Sequence, residues 1–264
     1  MDAKNLGVIV RALLTKGKGI LAADESIGTM DKRLEAIGAL STPEIRRSYR
    51  ELLFAAPGIE AYLSGVILHD ETIRSKTGDE VPFADLLTAR GIVSGIKVDK
   101  GTVSLDGFPG EVVTEGLDGL PARLAEYYAL GARFTKWRAV ITIGEGLSTE
   151  QCLKVNALML ARFASISQSA GMVPVVEPEV LLQGTHSIRE AQEVTTRALQ
   201  TLFMTLTEYR VDLSGLILKS SMVLAGDGNT QQSSPEEVAD ATLRTLNLAV
   251  PKEVPGIAFL SGGQ

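Results

Sequence analysis

Several apolar runs in the sequence end in a charged residue, and the clearest of them ends in a lysine. In the run 215–219, three large apolar residues follow Gly215 and lead directly into Lys219. A short apolar run between turn residues is typical of a strand buried on both faces, as in a parallel sheet. Lys219 is therefore predicted to lie at the solvent-facing end of a buried strand, where its side chain either only reaches solvent or takes part in catalysis.

Five further predicted strands also carry ionisable residues near their carboxyl ends. These residues are Asp24, Asp70 with Glu71, Lys97 with Asp99, Lys136 with Arg138, and Glu177 with Glu179. Two residues spaced i, i+2 face the same side of a sheet, and that side must be polar because burying unpaired charges is costly. A salt-bridged interior would explain the pattern. Six strands that deliver ionisable groups to one edge nevertheless favour an active site.

Three lysines in one site point to covalent chemistry at a carbonyl carbon. A lysine attacks a carbonyl only as the neutral amine, and with an ordinary pKa near 10.4 only about one lysine in a few thousand is neutral at pH 7. Lowering that pKa by ~3 units requires roughly 4 kcal/mol of preference for the neutral form. Neighbouring cations in a partly desolvated pocket provide such a preference. Lys97 and Lys136 are predicted to exert this repulsion on Lys219 and to attract a phosphorylated substrate.

The acidic residues of the same strand ends are candidates for proton transfer. Glu177 and Glu179 flank Pro178, and one of them can shuttle protons while a carbinolamine loses water. Asp24 is the candidate base for a hydroxyl that loses its proton as a carbon–carbon bond breaks. The glycines of 261–263 follow a late strand, where backbone N–H groups often bind phosphate.

The elements that must position these residues alternate between strands and helices along the chain. Apolar runs predict strands at 20–26, 65–70, 92–98, 133–140, 172–177, 213–219 and 256–260. Helical periodicity predicts helices at 5–14, 29–37, 43–54, 83–88, 121–129, 148–169, 187–209 and from 234 onward, whereas 101–119 is predicted to be a loop. Two of the helices have an N-cap followed by proline, at Thr42–Pro43 and Ser234–Pro235.

This alternation predicts an α/β fold with a parallel sheet, in one domain over residues 1–264. Seven strands of the βα type are predicted, and a closed (β/α)₈ barrel has eight. Either the sheet is open and doubly wound, or the chain lacks its final strand.

Composition excludes several classes of function. With 26 basic and 32 acidic residues the net charge is −6, which argues against a nucleic-acid-binding protein. The single cysteine, Cys152, cannot form an intrachain disulfide and indicates a reducing compartment. Two histidines, His69 and His186, cannot build a three-histidine metal site. No apolar run reaches transmembrane length, and residues 1–16 lack the pattern of a signal peptide, so a cytoplasmic location is expected.

Five segments of the chain resemble class I fructose-bisphosphate aldolase, in that family's order and over essentially the whole length. The segments are 19–26, 95–101, 136–138, 176–179 and 259–264. The resemblance implies a TIM (β/α)₈ barrel, usually a homotetramer, that acts in glycolysis and gluconeogenesis. It also implies reversible cleavage of fructose 1,6-bisphosphate to dihydroxyacetone phosphate and glyceraldehyde 3-phosphate through a lysine Schiff base, with no metal and no cofactor.

The resemblance also implies a role for each matching residue. Lys219 becomes the Schiff-base lysine, and Glu177 becomes the proton acceptor and donor for formation and dehydration of the adduct. Glu179 supports Glu177, Lys136 assists the same proton transfers, and Asp24 acts on the C4 hydroxyl. The residues implied in substrate binding are Lys97, Arg46, Arg138, Ser26, Ser261 and Gly262.

Two features depart from the family pattern. Ser220 and Ser221 follow the Schiff-base lysine, where the family commonly has Pro-Asn. The sequence also stops at Gln264, whereas the family continues with an eighth strand that carries a phosphate-binding arginine, a helix and a mobile tail. We therefore expect the natural protein to be longer and this chain alone to have weak aldolase activity or none.

Two alternatives to this assignment remain open at the level of the sequence. One is another Schiff-base aldolase or transaldolase acting on a different sugar phosphate. The other is a catalytically weak or silent scaffold, against which the intact set of lysines and acids argues.

Overall fold

Nine strands and nine α-helices occupy the part of the chain that the structure, a computed structural model, describes, namely residues 3–260 with the side chains of 6–260. The strands are β1 (Gly19–Ala23), β2 (Leu63–Leu68), β3 (Val93–Lys97), β4 (Thr102–Ser104), β5 (Val112–Thr114), β6 (Phe134–Ile141), β7 (Val173–Val180), β8 (Ile217–Ser220) and β9 (Ile257–Phe259). The helices are α1 (Ala3–Leu13), α2 (Ile27–Ala36), α3 (Pro43–Phe54), α4 (Asp70–Ile73), α5 (Phe83–Ala89), α6 (Leu120–Ala129), α7 (Glu150–Ser169), α8 (Ile188–Glu208) and α9 (Pro235–Ala249). None of these helices is long and apolar enough to cross a lipid bilayer.

Seven of the strands form one sheet in chain order, β1-β2-β3-β6-β7-β8-β9. The pairs β1–β2, β2–β3, β3–β6, β7–β8 and β8–β9 are parallel. Helices lie between consecutive strands of this sheet, as crossover connections between parallel strands require. The predicted α/β fold with seven βα-type strands is therefore confirmed for the described residues.

The chain divides into two compact units, and each unit contains part of the strands. Unit 1 comprises the described residues up to Val98, with Leu120–Lys136 and Ala170–Val173. Unit 2 comprises Asp99–Gly119, Trp137–Ser169 and the described residues from Pro174 onward. Strands β1, β2, β3 and the start of β6 thus belong to unit 1, whereas the rest of β6, nearly all of β7, and all of β8 and β9 belong to unit 2.

Hydroxyl side chains cap the first turns of helices α3 and α9. The Thr42 side chain accepts a hydrogen bond from the Ile45 N–H, and Pro43 occupies the first turn of α3. Ser234 caps α9 in the same way, with a capping box. Both caps were expected, because a hydroxyl oxygen satisfies an N–H that has no partner within the helix.

Two sequence predictions were wrong in detail. The segment 101–119, predicted to be a loop, contains the antiparallel hairpin β4–β5. Its β-branched residues favour strands, while Gly107 and Gly110 take positive φ angles in the turn between them. The strand predicted at 213–219 begins only at Ile217, because Leu213–Gly215 forms a 3₁₀ turn in which the Asp212 side chain accepts a hydrogen bond from the Ser214 N–H.

Two glycines in unit 1 leave space for bulky side chains that pack against the sheet. Gly95 on β3 is the register partner of Phe134 on β6, and the Phe134 ring is fully buried. A Cβ atom on Gly95 would overlap the ring carbons of Phe134. A Cβ atom on Gly65 of β2 would lie 2.6 Å from Leu13 Cδ2 and 3.4 Å from the Phe134 ring. The sequence thus uses glycine where a bulky side chain on the neighbouring strand needs room.

We expect Gly95→Ala to destabilise the protein by about 1–3 kcal/mol, because overpacking a dense core forces the ring or the backbone to move. Urea denaturation followed by circular dichroism measures the change. Gly19→Ala is the matched control, since Gly19 also lies in a strand and its added Cβ meets no atom within 4 Å. Equal stability of the two variants would contradict the packing argument.

Candidate active site

The first group of predicted site residues lies in unit 1, on strands of the sheet or directly after them. Asp24 directly follows β1, and Lys136 lies in β6. The Lys136 ammonium donates a hydrogen bond to Asp24 Oδ2 at 3.0 Å, and the side chains are only 6% and 10% exposed. A buried ion pair of this kind fixes the orientation of both side chains, since removing either partner would leave a buried charge without compensation.

Lys97 is the last residue of β3 and the register partner of Lys136 on β6. Register partners on neighbouring parallel strands point to the same face of a sheet, so two of the three predicted lysines share one face in unit 1. His69, which follows β2, lies close enough to sense this charge. Burial lowers the pKa of its imidazole, and the positive charge of Lys97 lowers that pKa further.

We expect Lys97→Met to raise the pKa of His69, as followed by an NMR titration of the imidazole. The exposed Lys76→Met serves as the control and should leave that titration unchanged, since Lys76 pairs with Glu80. Because the folded-state pKa of His69 is depressed, the unfolded chain takes up a proton first as the pH falls below about 6.5. The stability contributed by neutral His69 is therefore present above that pH and is lost below it, down to the folded-state pKa.

The second group lies in unit 2 and contains the predicted nucleophile. Lys219 lies in β8 and Glu177 in β7, and these strands pair in parallel. The Lys219 Nζ atom is 2.7 Å from Glu177 Oε1, with the Glu177 side chain 3% exposed and that of Lys219 14% exposed. The amine is thus in direct contact with the carboxylate that could take its proton, and it retains an opening toward solvent.

A second ion pair in unit 2 joins Arg138 of β6 to Glu179, which lies two residues beyond Glu177 on β7. The Arg138 Nε–H donates to Glu179 Oε2, and the backbone N–H of Arg138 lies 3.4 Å from Asp99 Oδ2. Burial alone would lower the pKa of Arg138, but the hydrogen bond and the charge of Glu179 raise it overall. The hairpin β4–β5 reaches the same strand, because the Thr114 hydroxyl donates to the carbonyl of Arg138.

The remaining predicted substrate-binding residues have different environments. The Ser26 hydroxyl accepts from the Thr29 N–H and caps α2. Arg46 makes a two-point contact with Glu71, at 2.9 and 2.6 Å, so a phosphate would have to compete with that carboxylate. The substrate contact expected for Arg46 stays a prediction. Ser261 and Gly262 lie outside the described residues.

Two charged residues of unit 1 were not singled out from the sequence. Glu25 follows Asp24 directly and is contacted by Arg33 of α2 and by Arg50 of α3. Arg50 is 3% exposed, which is rare for an arginine and requires a partner. The available signal was the spacing of Arg46 and Arg50, which puts two arginines on one face of a helix.

Trp137 and Cys152 are both buried in the core of unit 2. Trp137 is fully buried, and its ring stacks on Phe163 at a centroid distance of 5.5 Å. Cys152 is 1% exposed on α7, and burial raises the pKa of its thiol to about 11. A thiol with this pKa is almost entirely protonated at neutral pH and is a poor nucleophile.

Comparison with known proteins places this arrangement in a family. A family model described as fructose-bisphosphate aldolase class-I matches residues 5–264. A protein of Xanthomonas campestris named probable fructose-bisphosphate aldolase class 1 is 53% identical over 264 residues, which are all of this chain and 79% of that protein. Fructose-bisphosphate aldolase 6 of Arabidopsis thaliana, named as cytosolic, is 49% identical over 95% of this chain and 70% of its own length.

A solved structure agrees with the sequence comparison. Fructose-bisphosphate aldolase from Plasmodium falciparum, in complex with TRAP and a small-molecule inhibitor, superposes with a TM-score of 0.98 at 45% identity. The match covers 99% of this chain and 76% of that one, which confirms the predicted α/β fold of the TIM-barrel type. On the strength of the family model, the relatives and this shared fold, the chain belongs to the class I fructose-bisphosphate aldolase family.

Proposed function

We propose that the protein cleaves fructose 1,6-bisphosphate reversibly into dihydroxyacetone phosphate and glyceraldehyde 3-phosphate through a Schiff base on Lys219. The observation that carries the proposal is the 2.7 Å contact between Lys219 Nζ and Glu177 Oε1. Family membership supports the substrate class, a phosphorylated sugar.

The first half of the reaction forms the covalent adduct. Glu177 accepts a proton from the Lys219 ammonium, and the neutral amine attacks the C2 carbonyl to give a carbinolamine. Glu177 then returns the proton to the C2 hydroxyl, which leaves as water, and a protonated Schiff base remains. The ion pair with Glu177 supports these roles because a general base must be within hydrogen-bond reach of its proton. Glu179, paired with Arg138, supports Glu177 in this scheme, while Lys136 assists its proton transfers.

The second half breaks the carbon–carbon bond. Asp24 takes the proton of the C4 hydroxyl, the C3–C4 bond breaks, and its electron pair moves into the protonated imine to give an enamine. Glyceraldehyde 3-phosphate leaves, Asp24 releases its proton to solvent, and C3 takes a proton from solvent to restore the protonated imine. Water then hydrolyses this imine and frees dihydroxyacetone phosphate and the Lys219 amine. The contact of Asp24 with Lys136 supports this role, because a charge-assisted hydrogen bond orients the carboxylate.

The two phosphates are assigned to cationic and polar groups. Lys97, Arg138 and Ser26 are assigned to substrate binding, with Ser261 and Gly262 contributing to the site of the C1 phosphate. Charge-assisted contacts of this kind position the sugar so that the reacting bond is correctly oriented. A homotetramer in the cytosol completes the proposal; the family resemblance supports the assembly, and the names of cytosolic relatives support the location.

The covalent step is tested by borohydride trapping. Incubation with dihydroxyacetone phosphate followed by borohydride should reduce the imine and attach the triose phosphate to the protein, and peptide mapping should find the adduct at Lys219. Incubation with borohydride alone is the control. An adduct confined to other lysines, or the absence of any adduct, would refute the proposal.

A further inference from the structure

Helix α3 carries two buried arginines on one face. Arg46 and Arg50 are spaced i, i+4 and are 8% and 3% exposed. Each pairs with a carboxylate that closely follows a strand, Arg46 with Glu71 after β2 and Arg50 with Glu25 after β1. Arginines are almost never buried without such partners. Helix α3 therefore ties together the chain segments that leave β1 and β2 at their carboxyl ends.

The contact between Arg50 and Glu25 is next to a proposed catalytic residue, because Glu25 follows Asp24 directly. Its Nη2 atom is 2.8 Å from Glu25 Oε2, and the two side chains are 4% and 14% exposed. Arg33 contacts the other oxygen of Glu25, but its side chain is 60% exposed and therefore holds Glu25 less firmly. Charge-assisted hydrogen bonds are strongest where water is excluded, so Arg50 is the firmer anchor of this carboxylate.

We propose that Arg50 is a positioning residue for Asp24. It acts through Glu25, the residue next to Asp24, and fixes the peptide from which the Asp24 side chain departs toward Lys136. The inference rests on the proposed function, in which Asp24 takes the proton of the C4 hydroxyl. Misplacing a reacting group by about 1 Å can cost roughly 100-fold in rate. An ion pair that fixes the residue next to Asp24 can therefore have a large effect on the rate of cleavage.

The proposal makes a prediction that differs between the two halves of the reaction. Schiff-base formation with dihydroxyacetone phosphate depends on Lys219 and Glu177, and this triose has no C3–C4 bond to break. Cleavage of the hexose depends on Asp24 as well. Loss of Arg50 should therefore slow cleavage and leave trapping of the triose at its normal rate.

The test is Arg50→Ala, assayed for fructose 1,6-bisphosphate cleavage and for borohydride trapping of dihydroxyacetone phosphate. We expect kcat for cleavage to fall about 10- to 100-fold, as is usual when a group that orients a reactive residue is removed. Trapping should stay at the parent rate. Guanidinium ion at low millimolar concentration should enter the vacated space and restore part of the cleavage activity.

Arg47→Ala is the matched control, because Arg47 lies on the same helix but pairs with Glu44 and Glu51 at its more exposed side. It should retain both activities and show no response to guanidinium. If Arg50→Ala does not fold, the double variant Glu25→Gln/Arg50→Met is assayed in its place. This variant removes both charges and leaves no unpaired carboxylate. The double variant should show the same loss of cleavage with normal trapping.

The outcomes separate this inference from the proposed function. Normal cleavage by Arg50→Ala or by the double variant would overturn the positioning role, as would equal loss of cleavage and trapping. Asp24→Asn and the parent protein are assayed alongside. A parent protein that forms no adduct at Lys219, or an Asp24→Asn variant that cleaves normally, would instead contradict the proposed function.

Discussion

Replacing Lys219 by arginine is expected to abolish turnover, with a loss of about 10⁴- to 10⁶-fold in kcat, as for removal of other enzymatic nucleophiles. Arginine keeps a positive charge next to Glu177, whose Oε1 atom is 2.7 Å from Lys219 Nζ in the parent. The guanidinium group stays protonated at any accessible pH and forms no Schiff base. A coupled assay of triose phosphate release measures the loss, and borohydride with dihydroxyacetone phosphate should add no mass to the variant.

Lys154→Arg provides the control for this substitution. Lys154 is an exposed lysine on α7 that pairs with Glu150 one helical turn away, so its replacement should leave both turnover and trapping unchanged. Thermal unfolding of the two variants should be similar, because each keeps its ion pair. Measurable turnover or a trapped adduct in Lys219→Arg would show that another amine carries the reaction.

The sequence allowed us to predict that Lys219 lies near acidic residues, because Lys219 and Glu177 both come at or near the ends of apolar runs. Parallel strands bring their carboxyl ends to one edge of a sheet, so residues far apart in sequence can be expected to approach each other there. The structure places β7 next to β8, and the two side chains meet. Periodicity placed Lys219, Glu177 and Glu179 on strands, and only the motif resemblance selected Glu177 as the partner in proton transfer.

The anchor of Glu25 could not be predicted in the same way. Arg50 and Glu25 are 25 residues apart, one on a helix and the other after a strand, and no spacing rule specifies such a pair. Which charged residue a buried arginine meets depends on how α3 packs, which is decided by tertiary contacts. The sequence showed only that α3 carries several arginines. The family resemblance named Arg46 among them as a substrate-binding residue, and the structure has a two-point contact of Arg46 with Glu71.

The errors in secondary structure have a similar cause. In 101–119 the glycines that form the turn of the hairpin outweighed the short β-branched runs on either side. Near β8 the Asp212 side chain captures the Ser214 N–H and winds three residues into a 3₁₀ turn before the strand begins. In both places a local hydrogen bond or a turn competes with the apolar pattern, and only the tertiary structure shows which prevails.

Glu177→Gln is expected to slow Schiff-base formation by about 10²- to 10⁴-fold, the usual contribution of a positioned general acid–base group. Glutamine has nearly the same shape as glutamate and can still contact the Lys219 ammonium, but an amide oxygen is too weak a base to take its proton. The measurement is the time course of borohydride-trapped dihydroxyacetone phosphate, quenched at intervals, so that adduct formation is followed apart from carbon–carbon cleavage.

Glu179→Gln is the matched comparison, since Glu179 lies two residues away on β7 and pairs with Arg138. If Glu179 only supports Glu177, its substitution should slow trapping by about 10-fold, the lower end of the range for residues that orient a reactive group. Lys219 should remain the trapped residue in both variants, because the nucleophile is intact in each. A normal trapping rate in Glu177→Gln would contradict the assignment of proton transfer to Glu177. A slower trapping rate in Glu179→Gln than in Glu177→Gln would contradict it as well.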